Sequence, residues 1–221
     1  MKILSRPFVI LLLAAMFVVA GWFGGPADPL EVRLMAWLAE VRSEWPAMAV
    51  AATIVTDSGS APMTMGAAAF GSLFLLLRRA PTSALLLAVT VIGERFLVDG
   101  LKQWVGRVRP PIDPAHAISS MAFPSGHAAN SLTAFLAVAL IAVPAPYRWS
   151  ATVAALILGV SVGLSRIILG VHWPSDVLGG WALALLSVGA ALAIGRRSGA
   201  LEPQHDIVGR HHLPPDEDQP A

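Results

Sequence analysis

The chain is expected to be an all-α, polytopic membrane protein with six transmembrane helices and an active site at the outer membrane interface. Composition is the first reason. Hydrophobic residues make up 56% of the 221 and charged residues only 13%, where a soluble domain is about a quarter charged. Segmentation is the second. Spanning a membrane takes about 20 mainly apolar residues, and six stretches qualify, at roughly 7–24, 60–77, 82–101, 127–144, 149–170 and 175–195. The third is that the polar residues able to do chemistry stand where these runs begin or end.

The first stretch follows Lys2 and Arg6 and carries Val18-Val-Ala20, which resembles a secretory signal with a cleavage site. The apolar run continues through Trp22-Phe23, so a retained span is the preferred reading. Between the first and second spans, Pro26–Ser58 is mixed. Leu30, Leu34, Trp37 and Leu38 recur at helical spacing opposite Glu31, Arg33 and Glu40, the pattern of an amphipathic helix lying on the interface. Ala47–Thr56 is apolar but too short to span, and is placed in the interface or as a re-entrant piece. Residues 1–197 then form one six-helix membrane domain with an interfacial insert at about 26–58. Residues 198–221 form a polar, proline-rich cytoplasmic tail expected to be disordered. Its His205, His211 and His212 are read as tail residues rather than as a metal site.

Orientation follows from the loops. With six spans one face receives Lys2, Arg6, Arg78, Arg79, Arg148, Arg196 and Arg197, and the positive-inside rule makes that face cytoplasmic. The opposite face receives the 26–58 insert, the loop from Lys102 to Gly126 and the turn at 171–175. Lys102, Arg107 and Arg109 break the charge rule there, which points to a task beyond topology. Trp22, Trp104, Trp149, Trp173 and Trp181 sit near span ends, as interfacial anchors do. The expected location is the bacterial inner membrane, multi-pass, with the site on the non-cytoplasmic side.

Other classes are disfavoured. A net charge of +1 argues against a nucleic-acid surface, and the absence of cysteine removes disulfides, thiolate zinc sites and thiol nucleophiles.

Lys102 and Arg109 are seven residues apart, so a helix running through both would put them on one face. Arg109 precedes Pro110, which disfavours helix there. A lysine point charge with an arginine fork suits a phosphate, though two cations snorkelling at a boundary would look the same. In Pro124-Ser125-Gly126-His127, Ser125 is placed to cap a helix whose N-terminus offers free N–H groups to an anion; Gly126 lets the backbone approach and His127 points into the same space. Arg166 is one turn from the end of the fifth span, where facing lipid would be costly. His172 follows it by six residues and Asp176 follows His172 by four, across Trp173-Pro174-Ser175. A carboxylate on one ring nitrogen fixes the tautomer and leaves the other nitrogen free to attack.

Taken together, Lys102-x6-Arg109-Pro110, Pro124-Ser125-Gly126-His127 and Ser165-Arg166-x5-His172-x3-Asp176 resemble the three-part signature of the type 2 phosphatidic acid phosphatase superfamily, the membrane lipid phosphate phosphatases. The motifs cover Lys102 to Asp176, and the span layout carries the likeness to about residue 195. The resemblance implies that Lys102, Arg109 and Arg166 hold phosphate oxygens with Ser125 and the Gly126 N–H. It implies that His172, oriented by Asp176, attacks phosphorus to form a phosphohistidine, that His127 serves the leaving oxygen and then the water, and that neither a metal nor another cofactor is required. The expected partners are a lipid phosphate substrate and membrane lipids, with no nucleic acid. An undecaprenyl or other polyprenyl diphosphate heads the expected substrates, followed by phosphatidic acid and phosphatidylglycerol phosphate. Two rivals stay open: a phosphotransferase passing the phosphoryl group to an acceptor lipid, and a transporter binding lipid phosphate without turnover. Intramembrane Glu94 and Arg95 are the transporter's support; Arg95 with Asp99 is otherwise an i,i+4 pair. Asp113 and His116 are read as ordinary loop residues.

Overall fold

The computed structural model describes residues 6–111 and 120–201, and every regular element among them is helical. The order is α1 (Pro7–Phe23), α2 (Pro29–Glu44), α3 (Pro46–Asp57), α4 (Ala61–Leu77), α5 (Pro81–Val105), α6 (Gly126–Ala137, continued by a π-helical turn Val138–Ala142), a 3₁₀ turn (Ala145–Tyr147), α7 (Arg148–Ile168) and α8 (Pro174–Arg197). Lys2, Asp113, His116 and the tail from residue 202, with its three histidines, lie outside the described residues.

Proline punctuates the chain. Helices α1 to α5 and α8 each carry one at their first or second position. The missing N–H costs nothing there and the fixed φ is already helical. Left-handed glycines stop helices at the opposite end: Gly106 (φ 64°) closes α5 and Gly170 (φ 77°) follows α7.

Three stretches are long and apolar enough to cross a membrane: Pro46–Leu77, Ala145–Ile168 and Pro174–Arg197. Pro7–Phe23 and Gly126–Ala142 are apolar but shorter. The expected six spans are therefore not all carried by length and composition. α1 has 17 residues, and α5, though 25 long, carries Glu94, Arg95, Asp99 and Lys102 in its second half. The 47–56 segment is also more than a short interfacial piece. As α3 it runs on through a tight turn into α4, making one 32-residue apolar stretch.

The main core lies between α4, α5, α6, α7 and α8, around Leu87, Val91, Leu132, Ala137, Val188 and Leu192. Small residues let the helices close up. A Cβ on Gly179 would lie 2.4 Å from the Phe123 ring, and one on Gly180 would lie 2.8 Å from the Ser125 carbonyl oxygen. The start of α6 and the first turns of α8 are thereby pressed together. α2 splits its apolar residues: Met35 and Leu38 pack on Ala122 and Trp173, whereas Leu30, Leu34 and Trp37 stay exposed. After α8 the chain turns back, and the Ser83 hydroxyl donates to the Ala200 carbonyl.

Candidate active site

The end of α5, the start of α6, the end of α7 and the start of α8 meet at one end of the bundle, and all eight residues singled out in the sequence converge there. Lys102 lies in the last turn of α5, with Nζ 3.5 Å from where a Cβ on Gly126 would stand. The glycine thus leaves the ammonium room over the first turn of α6. The helix does not run on to Arg109, as a shared face would need. It ends at Val105 because Gly106 takes the left-handed conformation, and Arg109 reaches the site from an irregular segment instead. The charges still act on one another. The electrostatic neighbours of His127 are Arg166, His172, Lys102 and Arg109.

Ser125 is the N-cap residue of α6, but its side chain makes no capping bond. Its N–H donates to the Asp176 carbonyl (2.9 Å). The hydroxyl is buried and finds no partner in the protein, a donor available to a bound anion. His127 follows in the first turn of α6, half-buried, its carbonyl accepting from Ser131 (2.6 Å). Arg166 is 8% exposed; Nη1 donates to Thr56 Oγ1 at 3.0 Å, and buried Nε has no partner.

His172 is 1% exposed. Its Nδ1 lies 3.3 Å from Asp176 Oδ2, and Nε2 lies 3.0 Å from Arg109 Nη1. A guanidinium can only donate, so Nε2 is the lone-pair nitrogen and Nδ1 carries the hydrogen facing the carboxylate. That tautomer is assigned from the bonding pattern. Burial pushes the imidazole well below its ordinary pKa, and Arg109, Arg166 and Lys102 push the same way against a hydrogen bond to the Ala122 backbone. The ring is therefore held neutral. Arg109 is itself braced: Nη1 donates to Val171 O (2.6 Å), Nε to Ser120 O (2.7 Å) and Nη2 to Ser120 Oγ (2.9 Å). Asp176, fully buried in the first turn of α8, accepts the Trp173 N–H on Oδ2 (2.9 Å). Among the described residues no cluster of three or more His, Cys, Asp or Glu has the form of a metal site.

Four residues at the site's back were not singled out as site residues. Arg107 Nη1 donates to Ser175 Oγ (2.9 Å) and pairs with Asp176 Oδ1 (3.0 Å), while Nη2 reaches the Ala20 and Gly21 carbonyls at the end of α1 (2.8 and 2.6 Å). Its guanidinium also lies 4.7 Å from the Phe123 ring centroid. Glu31 of α2 accepts the N–H and hydroxyl of Ser175 (2.7 and 2.9 Å) and the Gly25 N–H (2.6 Å). Arg42 of α2 donates to the Ile168 carbonyl at the end of α7 (2.9 Å). Thr56 of α3 receives Arg166. Glu31, Arg42 and Thr56, from α2 and α3, thus brace the Arg166–Asp176 segment at three points. For Arg107 a signal was present, a third cation on the face where the charge rule disfavours it. For Glu31, Arg42 and Thr56 none was, because each acts through a contact more than 100 residues away in sequence.

Residues 83–199 match the family model described as the PAP2 superfamily. The chain belongs to the PAP2 superfamily. Among curated relatives, phosphatidylglycerophosphatase B of Bacillus subtilis is 39% identical over 107 residues, covering 46% of this chain and 53% of that protein. An undecaprenyl-diphosphatase of Sulfolobus acidocaldarius is 29% identical over 118 residues (51% and 55%), and a lipid A 1-phosphatase of Rhizobium johnstonii is 33% identical over 103 (42% and 40%). The chain spans about half the length of the first two, and less of the third. A crystal structure of a transmembrane PAP2-type phosphatidylglycerolphosphate phosphatase from Bacillus subtilis superposes with a TM-score of 0.75 at 26% identity, covering 85% of this chain and 96% of that one. The match to the family model begins at residue 83, so α1 to α4 lie outside it.

Proposed function

We propose that this PAP2 protein hydrolyses a lipid phosphate or diphosphate through a phosphohistidine on His172. The observation that carries the reading is the setting of His172: neutral, buried, Nδ1 toward Asp176 and Nε2 toward Arg109, with Lys102, Arg166, His127 and the Ser125 hydroxyl around the same space. Phosphoryl transfer asks chiefly for positioning and for fixed positive charge around the equatorial oxygens. Lys102, Arg109 and Arg166 supply that charge, and the N-terminus of α6 adds N–H groups. His172 attacks in line while His127 protonates the leaving oxygen. The water that then cleaves the N–P bond loses its proton to His127.

The substrate class rests on relatives whose names share a lipid phosphate and differ in the lipid. Phosphatidylglycerol phosphate stands beside the polyprenyl diphosphates as a first choice, since a curated relative and the solved structure both bear that activity. The proposed topology has six crossings, by α1, α4, α5, α6, α7 and α8. It is supported by Arg78, Arg79, Arg148, Arg196 and Arg197 lying at the opposite helix ends from the site.

Phosphate release from a panel of lipid phosphates by the purified protein, with and without chelator, tests the reading. Turnover should survive chelation, and vanadate, which adopts five-coordinate geometry, should inhibit. His172→Ala should lose about 10⁴-fold or more in kcat and form no phosphoenzyme. His127→Ala should lose about 10²–10⁴-fold, yet still form labelled enzyme from a nitrophenyl ester, whose leaving group needs no proton. Label persisting in His172→Ala and vanishing in His127→Ala would reverse the roles; activity restored to a chelated enzyme only by a divalent metal would overturn the metal-free mechanism.

A further inference from the structure

We propose that Arg107, anchored on the end of α1, and Glu31 of α2 form a positioning relay that holds Asp176, and through it His172; α1 and α2 lie outside the segment matched to the PAP2 family, whereas Arg107 lies within it. The inference rests on the phosphatase reading above.

The connections run without a break. Glu31 accepts the Ser175 N–H and hydroxyl (2.7 and 2.9 Å); the Ser175 oxygen in turn accepts from Arg107 Nη1 (2.9 Å). The same Nη1 pairs with Asp176 Oδ1 (3.0 Å), and Asp176 Oδ2 faces His172 Nδ1 (3.3 Å). The donors and acceptors are consistent, because a hydroxyl has one hydrogen to give and lone pairs to receive. Arg107 is 9% exposed, and Nη2 is taken up by the Ala20 and Gly21 carbonyls. With its plane over Phe123, its fork points away from the space the phosphate would occupy. It is thus the one member of the Lys102–Arg107–Arg109 series whose donors are turned to the back of the site. α1 approaches closely enough for this because Gly24 stands against Ser175, where a Cβ would come within 2.0 Å of Oγ.

None of the three charges in the relay, Glu31, Arg107 and Asp176, is placed to bind phosphate, and all three bear on His172. A buried aspartate orienting a histidine needs one oxygen for the ring and a partner for the other, and an orienting shell commonly decides the reactivity of what it holds. Arg107 supplies that partner and shares the carboxylate's charge. Charged and titratable groups facing His172 come from α5 (Lys102), α6 (His127), α7 (Arg166), the segment before residue 112 (Arg107, Arg109) and α8 (Asp176), with Glu31 of α2 behind Ser175.

The test compares Arg107→Lys, Arg107→Met, Glu31→Gln and Ser175→Ala with Arg109→Ala in the full-length purified protein. The relay variants should lower kcat on a lipid phosphate, by about 10²-fold for Arg107→Lys, as a misplaced catalytic group does. KM should stay within about twofold while vanadate, which mimics the transition state, weakens along with kcat; Arg109→Ala should raise KM as well. Arg107→Met should also move the acid limb of kcat/KM upward, because without the guanidinium's positive charge the coupled Asp176–His172 pair binds a proton more readily; Arg107→Lys should not. A purely structural role would move neither limb. Raised KM with kcat kept in Arg107→Lys would make Arg107 a phosphate ligand, and unchanged kcat in both Glu31→Gln and Ser175→Ala would break the relay; either overturns the proposal. A wild type that releases no phosphate from any lipid refutes the phosphatase reading separately. The relay is then judged by ¹⁵N spectra of labelled histidine: Arg107→Met must change the fixed Nδ1–H tautomer of His172, and an unchanged tautomer sinks it.

Discussion

In the proposed mechanism His172 attacks through its Nε2 lone pair, and in the structure that nitrogen faces Arg109 Nη1 at 3.0 Å. A phosphoryl group arriving along it must draw the guanidinium onto its own oxygens, so that binding and unmasking of the nucleophile become one event. The same cations that would hold the phosphate also set the acid side of the pH profile. Burial first, then Arg109, Arg166 and Lys102, keep the folded-state pKa of His172 well below 6.5. The ring should therefore stay neutral under mildly acidic conditions, and the His172 limb of kcat/KM, which reports the free enzyme, should fall below pH 6.5. Stability carries the same sign. The unfolded chain takes up this proton at about 6.5, before the folded protein does, so the contribution is fully present above that pH and is lost as pH falls below it. Thermal unfolding in detergent should show His172→Asn losing less stability than wild type between neutral pH and pH 5. A His172 limb at or above 6.5 would contradict the burial argument. Much of the candidate site's arrangement was legible in the sequence, because His127, His172 and Asp176 lie within or beside helix starts whose punctuation is local. Arg107 was half legible: its place on the wrong face for topology was readable, its target was not, since Ser175, Asp176 and α1 meet it only in the folded bundle.

Element by element, what could be read followed the apolar runs and what could not followed the turns. The bounds of α4, α7 and α8 came out close to expectation because their apolar runs are bounded by proline, arginine and serine in sequence. α5 ends earlier than a shared Lys102–Arg109 face requires. One left-handed glycine outweighs the apolar residues around it. α2 shows a different limit: helical spacing pointed to a helix there, but not to Met35 and Leu38 turning onto Ala122 and Trp173 while Leu30, Leu34 and Trp37 remain outside. Close helix contact is the least visible of all, since a glycine in an apolar run reads alike whether it faces lipid or a backbone. Gly180 and Gly66 make the contrast testable. A Cβ on Gly180 meets the Ser125 carbonyl at 2.8 Å and the Ala128 side chain at 3.1 Å, whereas one on Gly66 meets nothing within 4 Å. Gly180→Ala forces α8 from the start of α6 and should cost about 1–3 kcal/mol, as overpacking does, with activity falling because Ser125 and Asp176 shift together. Gly66→Ala should be neutral or stabilise by up to about 1 kcal/mol through helix propensity. Thermal inactivation of the two variants side by side checks both; equal behaviour would mean the α6–α8 contact is not tight.

At the scale of the molecule, two ends of one bundle carry opposite tasks. At one end stand the C-termini of α1, α5 and α7 and the N-termini of α6 and α8, which together hold the site, with α2 and α3 braced against it through Glu31, Arg42 and Thr56. At the other end stand Arg6, Arg78, Arg79, Arg148, Arg196 and Arg197, beside the opposite termini of the same helices. A helix bundle in which cations gather at one end through topology, and at the other through chemistry, fits only one orientation if the positive-inside rule governs it. On that proposed orientation the site would face away from the cytoplasm, toward lipid phosphates in the outer leaflet. Because the chain lacks cysteine, labels can be placed without background. Glu44, at the exposed end of α2 on the site side, and Arg79, exposed between α4 and α5, mark the two ends. Glu44→Cys should react with a membrane-impermeant thiol reagent on intact cells, and Arg79→Cys only after the membrane is opened. If Arg79→Cys reacted on intact cells while Glu44→Cys was protected, the site would face the cytoplasm. The cations at the site would then be the ones obeying the charge rule, and the lipid phosphates within reach would be those of the inner leaflet.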